Sequence, residues 1–229
     1  YLHIADFYYR AGRWRDALAL LAAAPAESRG FVGLQLGASE ARRQWPVRHF
    51  AAVGDQLWRE LRLCPVLLGA PAETSLAQEY ADLANAPFCN ATGRTDLPQL
   101  AAVLTQLRLL ITNDTGTMHL AAGLGVPSLA LFLATAQPWD TGPYLPACCC
   151  LEPALDCHPC PYHRPCPHNL ECHERISPAV AGALALSWCR TGRWEDAPLA
   201  RNGGGVRIWL SRRDVGGFMD LRDLAGREG

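Results

Sequence analysis

The sequence contains no lysine: all 21 of its basic residues are arginine. That excludes a Schiff-base lysine and the lysine of a P-loop nucleotide site. Methionine is scarce, with two residues, and charged residues make up only 19% of the chain. Neither sign of charge dominates. The formal net charge is −1, which argues against a dedicated nucleic-acid partner. Long hydrophobic runs are missing too. The longest candidate, Ala17 to Ala26, is short and alanine-rich, below the ~18 residues that mark a membrane span. No transmembrane segment is expected. The chain starts at Tyr1, without Met and without a basic leader region, so no signal peptide is read and a piece of a longer protein is expected.

What is present points to a folded domain. Hydrophobic residues are 49% of 229, too many for disorder, and the length suits one or two domains at ~150 residues each. Seven of the ten cysteines fall between Cys148 and Cys172. A disulfide framework would be spread more evenly, so the pattern suits a cytoplasmic protein with one special segment.

Ala5 to Ala24 suggests helix, with Gly12 as a break, and loosely resembles one tetratricopeptide unit. The related strings at Arg10 and Arg190 lie 180 residues apart, too far for a tandem solenoid. From Phe31 onward, apolar strands alternate with helices. Strands are predicted at Phe31–Leu36, Pro65–Leu68, Phe88–Asn90, Leu109–Thr112 and Ser128–Leu133. Helices are predicted at Pro46–Leu61, Thr74–Leu83, Asp96–Leu107 and Thr115–Leu124, with a last one at Pro178–Arg190 after Ser177. Continuously apolar strands separated by helices predict a parallel α/β sheet, Rossmann-like and doubly wound. Residues 1–29 read as an N-terminal helical linker and 30–190 as the nucleotide-binding domain, with a Cys/His-rich insert at 148–173. Residues 191–229 form a tail with one strand-like run, Val206–Leu210.

The sharpest chemical signal is Thr112-Asn113-Asp114-Thr115-Gly116-Thr117-Met118-His119. It leaves a buried strand and opens a helix, where unsatisfied N–H groups and the helix dipole favour a phosphate. An ordinary helix cap accounts for the same residues equally well. Asp-Thr-Gly also marks aspartic proteases, but those need two such carboxylates in a mostly β fold. A second signal is Gly37-Ala38-Ser39 after the first strand, followed by Arg42 and Arg43, which suit a diphosphate.

The collinear order of the motifs is more telling. Gly37-Ala38-Ser39, Arg43-Gln44-Trp45-Pro46, Leu68-Gly69-Ala70-Pro71-x-Glu73, Gly93-Arg94-Thr95-Asp96-Leu97, Asn113-Asp114-Thr115-Gly116-x-Met118-His119, Gly125-Val126-Pro127 and Thr141-Gly142-Pro143-Tyr144 together resemble the C-terminal half of glycosyltransferase family 9, the heptosyltransferases. The resemblance covers residues 30–190. It implies half of a GT-B fold and transfer of a heptose-type sugar from an ADP-sugar donor to a lipopolysaccharide core or related glycan, with no cofactor required. It implies that Ser39 and Arg43 contact the donor phosphates or sugar, and that Asp114 binds the sugar. Thr115, Gly116, Met118 and His119 would cradle the diphosphate, largely through backbone N–H groups, and Glu73 would lie near the nucleoside. The family's acidic base belongs to an N-terminal domain outside this stretch, so no catalytic residue is nominated. The reaction would sit in the cytoplasm or at the inner face of the inner membrane. The chain departs from the family in carrying Arg43 in place of a usual lysine, and Leu133-Ala134-Thr135 in place of Gly-Pro-Thr.

The insert carries Cys157-x2-Cys160-x5-Cys166-x5-Cys172, interleaved with histidines. Four thiolates of this kind suit a structural zinc or an iron–sulfur cluster, with a disulfide role also open. Cys148-Cys149-Cys150 reads as a small apolar strand. Two further functional readings remain: a non-catalytic nucleotide- or partner-binding module, and a metal-binding module on an α/β scaffold.

Overall fold

The computed structural model describes residues 14–162, 164–198 and 205–224. Residues 1–13, with most of the helix expected from Ala5, lie outside them. Eight strands form one sheet in the order β3-β2-β1-β4-β5-β6-β7-β8. They are β1 (Phe31–Gln35), β2 (Cys64–Leu68), β3 (Cys89–Asn90), β4 (Leu107–Asn113), β5 (Ser128–Leu131), β6 (Cys149–Pro153), β7 (Val206–Arg213) and β8 (Met219–Asp223). The first six pair in parallel, and β7 and β8 add on antiparallel. Strand order reverses between β1 and β4, the point where open α/β sheets bind ligands at their carboxyl edge.

Helices cover both faces because the strands alternate apolar side chains to both. Val32, Leu34, Leu109, Ile111, Leu129 and Leu131 pack with α2 (Val47–Leu61), α3 (Thr74–Leu83) and α8 (Pro178–Thr191). Cys64, Val66, Leu68, Leu107 and Leu110 pack with α1 (Trp14–Ala19), α4 (Leu97–Leu104) and α5 (Gly116–Gly123). Start signals act as expected. The Asp96 carboxylate accepts from Gln99 N–H at 2.9 Å, and the Ser177 hydroxyl accepts from Val180 N–H at 3.3 Å. Two short helices, α6 (Pro138–Thr141) and α7 (Cys172–Arg175), punctuate the irregular segment after β5.

The C-terminal tail differs from its expected form. It supplies two strands rather than one, and both belong to the main sheet. Val206, Ile208 and Leu210 are buried in the larger core. The cysteine triplet does enter a strand: Cys149 and Cys150 open β6 and are fully buried, packing as small apolar groups. Among the described residues no helix is long and apolar enough to cross a membrane.

Candidate functional site: a cleft at the sheet reversal

A cleft of about 660 Å³ opens over the carboxyl ends of β1, β2 and β4. Ser39, Glu73, Asp114, Thr115, Gly116 and His119 line it, as do Gln35 and Thr117. Thr115 occupies the N-cap of α5 with extended backbone (φ −147°, ψ 164°), and its side chain makes no capping bond. The helix therefore presents its first N–H groups to the cleft without intrahelical acceptors, and its dipole adds positive potential there. At Gly116 a Cβ would meet nothing within 4 Å, so glycine leaves open the space in front of those N–H groups.

A hydrogen-bonded chain crosses the floor. The Thr117 hydroxyl donates to Gln35 Oε1 (3.1 Å), and Gln35 Nε2 donates to Glu73 Oε2 (3.2 Å). The Ala70 N–H donates to the same Glu73 oxygen at 2.7 Å. Glu73 Oε1 lies against Gly37, where any side chain would collide with the carboxylate. A side chain at 37 would therefore force the Glu73 carboxylate out of this position.

Asp114 stands beside the helix start with its side chain 8% exposed. Burial pushes its carboxyl above the ordinary aspartate value. A hydrogen bond from Thr141 and the charges of Arg43 and His119 oppose that shift without cancelling it. Arg43 Nη1 sits 3.6 Å from Asp114 Oδ2. Its Nε donates to the Thr135 hydroxyl at 2.6 Å, and its Nη2 donates to the Tyr162 hydroxyl at 3.3 Å. A buried carboxylate, a tethered guanidinium and a helix N-terminus are thereby gathered at one sheet edge, a combination suited to a polyhydroxylated anion.

The model of glycosyltransferase family 9 (heptosyltransferase) matches residues 10–169. The chain belongs to this family. Among solved structures, a glycosyltransferase family 9 protein from Veillonella parvula is 31% identical with a TM-score of 0.53, covering 58% of this chain and 38% of that one. The E. coli ADP-heptose LPS heptosyltransferase II is 28% identical with a TM-score of 0.52, covering 58% of this chain and 41% of that one. Lipopolysaccharide heptosyltransferase 1 of Pseudomonas aeruginosa is 35% identical over 125 residues, 51% of this chain and 33% of the relative. Lipopolysaccharide heptosyltransferase 2 of E. coli K12 is 32% identical over 94 residues, 39% of this chain and 27% of the relative. The chain spans about a third of the length of the curated relatives it matches, from 27% to 34%. Its sheet is one half of a GT-B fold.

Two of the residues expected at the donor site of this family 9 chain are placed otherwise. Met118 is fully buried against Ala130 and Phe132, and its N–H donates to Thr115 O at 3.1 Å. It supports α5 from below and offers the cleft no donor. Arg43 does not line the cleft and acts on it through Asp114. Conversely, the structure gives roles to residues that sequence reasoning did not nominate. Asn113 is fully buried. Its Nδ2 donates to the carbonyls of Leu36 (2.8 Å) and Gly37 (3.1 Å), and its Oδ1 accepts from Trp45 N–H (2.9 Å). One amide therefore ties the β4 exit to the β1 exit. The polar residues that end β1 and β4, Gln35 and Asn113, were the available signal. His49 packs on Trp45 with ring centroids 5.1 Å apart.

Proposed function

We propose that the cleft binds an ADP-heptose-type nucleotide sugar. The chain then supplies the donor half of an enzyme that transfers the sugar to a lipopolysaccharide core or related glycan. The observation that carries this reading is the open α5 N-terminus at the sheet reversal, flanked by the carboxylates of Asp114 and Glu73. Gly116 and Thr117 N–H groups would hold the diphosphate. Asp114 would accept from a sugar hydroxyl, and Glu73 would face the nucleoside. Ser39 and His119 close the rim, and Arg43 balances the Asp114 charge. The E. coli relative whose name specifies ADP-heptose supports the choice of donor. The acid or base for transfer would come from the N-terminal half that the family resemblance implies. A membrane-borne glycan acceptor would put the reaction at the inner face of the inner membrane.

Calorimetric titration with ADP, UDP and GDP tests this. ADP is expected to bind selectively. Asp114→Ala tests the carboxylate with ADP-heptose as ligand. Gly116→Pro removes one backbone donor at the first helical position, where proline is tolerated after an extended residue. Each is expected to weaken binding by about ten- to a hundredfold without unfolding the chain. A folded chain with no nucleotide affinity, or a Gly116→Pro variant that binds ADP as tightly as the parent, sinks the proposal and favours a non-catalytic module.

A further inference from the structure

Beside the cleft, residues 157–162 and 164–175 belong to a strap that no role described so far absorbs. Cys157, Cys160 and Cys166 line one cavity of about 370 Å³ together with His168. Cys172 begins α7 and is buried. Ala134, just after β5, ties the strap to the sheet: its carbonyl accepts from Cys160 N–H at 2.8 Å. Leu170 N–H donates to Cys166 Sγ at 3.4 Å.

His158 lies between the first two cysteines with its side chain 1% exposed. Its Nε2 is 3.3 Å from Glu152 Oε2, while its Nδ1 is buried with no partner. The carboxylate fixes the ring and with it the Cys157–Cys160 loop. This is the outer support that metal-site loops commonly have.

We propose that Cys157, Cys160, Cys166 and Cys172 bind one zinc ion that staples the strap beneath the Arg42–Arg43 turn. Soft thiolates and a two-residue first spacing suit tetrahedral zinc. Among the described residues no three donors already stand around one point, so the site is an induced one. The cysteine side chains turn inward on loading, and the four thiol protons leave to solvent. The strap grips the turn directly: Arg42 Nη1 donates to Arg164 O (3.1 Å), His173 Nε2 donates to Arg42 O (2.8 Å), and Arg43 lies 5.9 Å from the Tyr162 ring centre. Zinc would therefore hold Arg43 against Asp114. That consequence rests on the donor reading of the cleft; the metal site itself does not.

The test loads the full chain with zinc alone and, separately, with cobalt. One tightly held zinc per chain is expected, with cobalt giving thiolate charge-transfer and intense tetrahedral bands. Cys157→Ser and Cys166→Ser, at half-buried positions, should lose both signals while circular dichroism stays unchanged. Cys189→Ser, on α8, should keep them. Folded, zinc-free protein whose four thiols titrate freely in excess zinc overturns the proposal, as does iron with inorganic sulfide at these cysteines. If zinc binds but its removal leaves ADP affinity unchanged, the positioning of Arg43 is refuted and the metal site stands.

Discussion

Asn113 shows how much one buried amide decides. Its amide donates to two carbonyls and accepts from one N–H, and each partner is a backbone group at the β1 exit or the turn before α2. Alanine at 113 would strand two carbonyls and one N–H away from water. Asn113→Ala is expected to cost about 2–4 kcal/mol of stability, read from denaturant midpoints, and to weaken nucleotide binding as well. The motif that contains it was plain in the sequence as a chemical signal. The division of labour inside the motif was not. Asp114, Thr115 and Gly116 face the cleft, while Met118 faces the core. That split follows from the helical screw: residue 118, two positions after residue 116, falls on roughly the opposite side of the helix, whereas His119, three positions after Gly116, returns to the cleft. Arg43 shows the converse. Its spacing after Gly37 suits a phosphate ligand, yet Thr135 and Tyr162, distant in sequence, hold its guanidinium beside the cleft.

At the level of elements, β6 carries the most consequential charge. Glu152 is buried on it, with Trp209 Nε1 at 3.0 Å, His158 Nε2 at 3.3 Å and Arg207 Nη1 at 3.4 Å. Burial alone would raise its carboxyl. The hydrogen bonds from His158 and Trp209, with the charges of His158 and Arg207, outweigh it and leave the value below the ordinary 4.5. A depressed native value stabilises the fold fully above 4.5 and loses that stability as pH falls through the native value. Stability measured from neutral pH downward should therefore drop below 4.5, and Glu152→Gln should flatten that part of the profile. A variant that keeps the full acid slope would show that other carboxylates set it. The periodic elements were legible. The helix predicted at Thr74–Leu83 has those bounds in the structure, and Phe31–Leu36 shortens by one residue. β8 was not legible, because Met219-Asp-Leu-Arg-Asp has only two apolar residues and gains its pairing from β7, with Arg212 bridged to Asp220 at 2.7 Å.

Across the whole molecule, the hairpin of β7 and β8 closes the parallel sheet. Val206, Ile208 and Leu210 are each no more than 7% exposed, and burying three such side chains contributes about 1.5–3 kcal/mol each. Truncation after Pro198 would expose that surface and the unpaired edge of β6. The truncated chain is expected to lose several kcal/mol and to self-associate, as read from melting and gel filtration. A monomeric product with the parent melting temperature would show that the hairpin is an appendage.

The sequence by itself determined the parallel α/β class, the sites of most strands and helices, and the family through the order of its motifs. These are encoded locally, in apolar periodicity, caps and short motifs that need no distant partner. Tertiary structure alone decided which motif residues face the cleft, where Arg43 points, and that residues 206–223 complete the same sheet. Each of these depends on contacts between residues tens of positions apart, and no local pattern records which partner a buried polar group or a free strand edge will find.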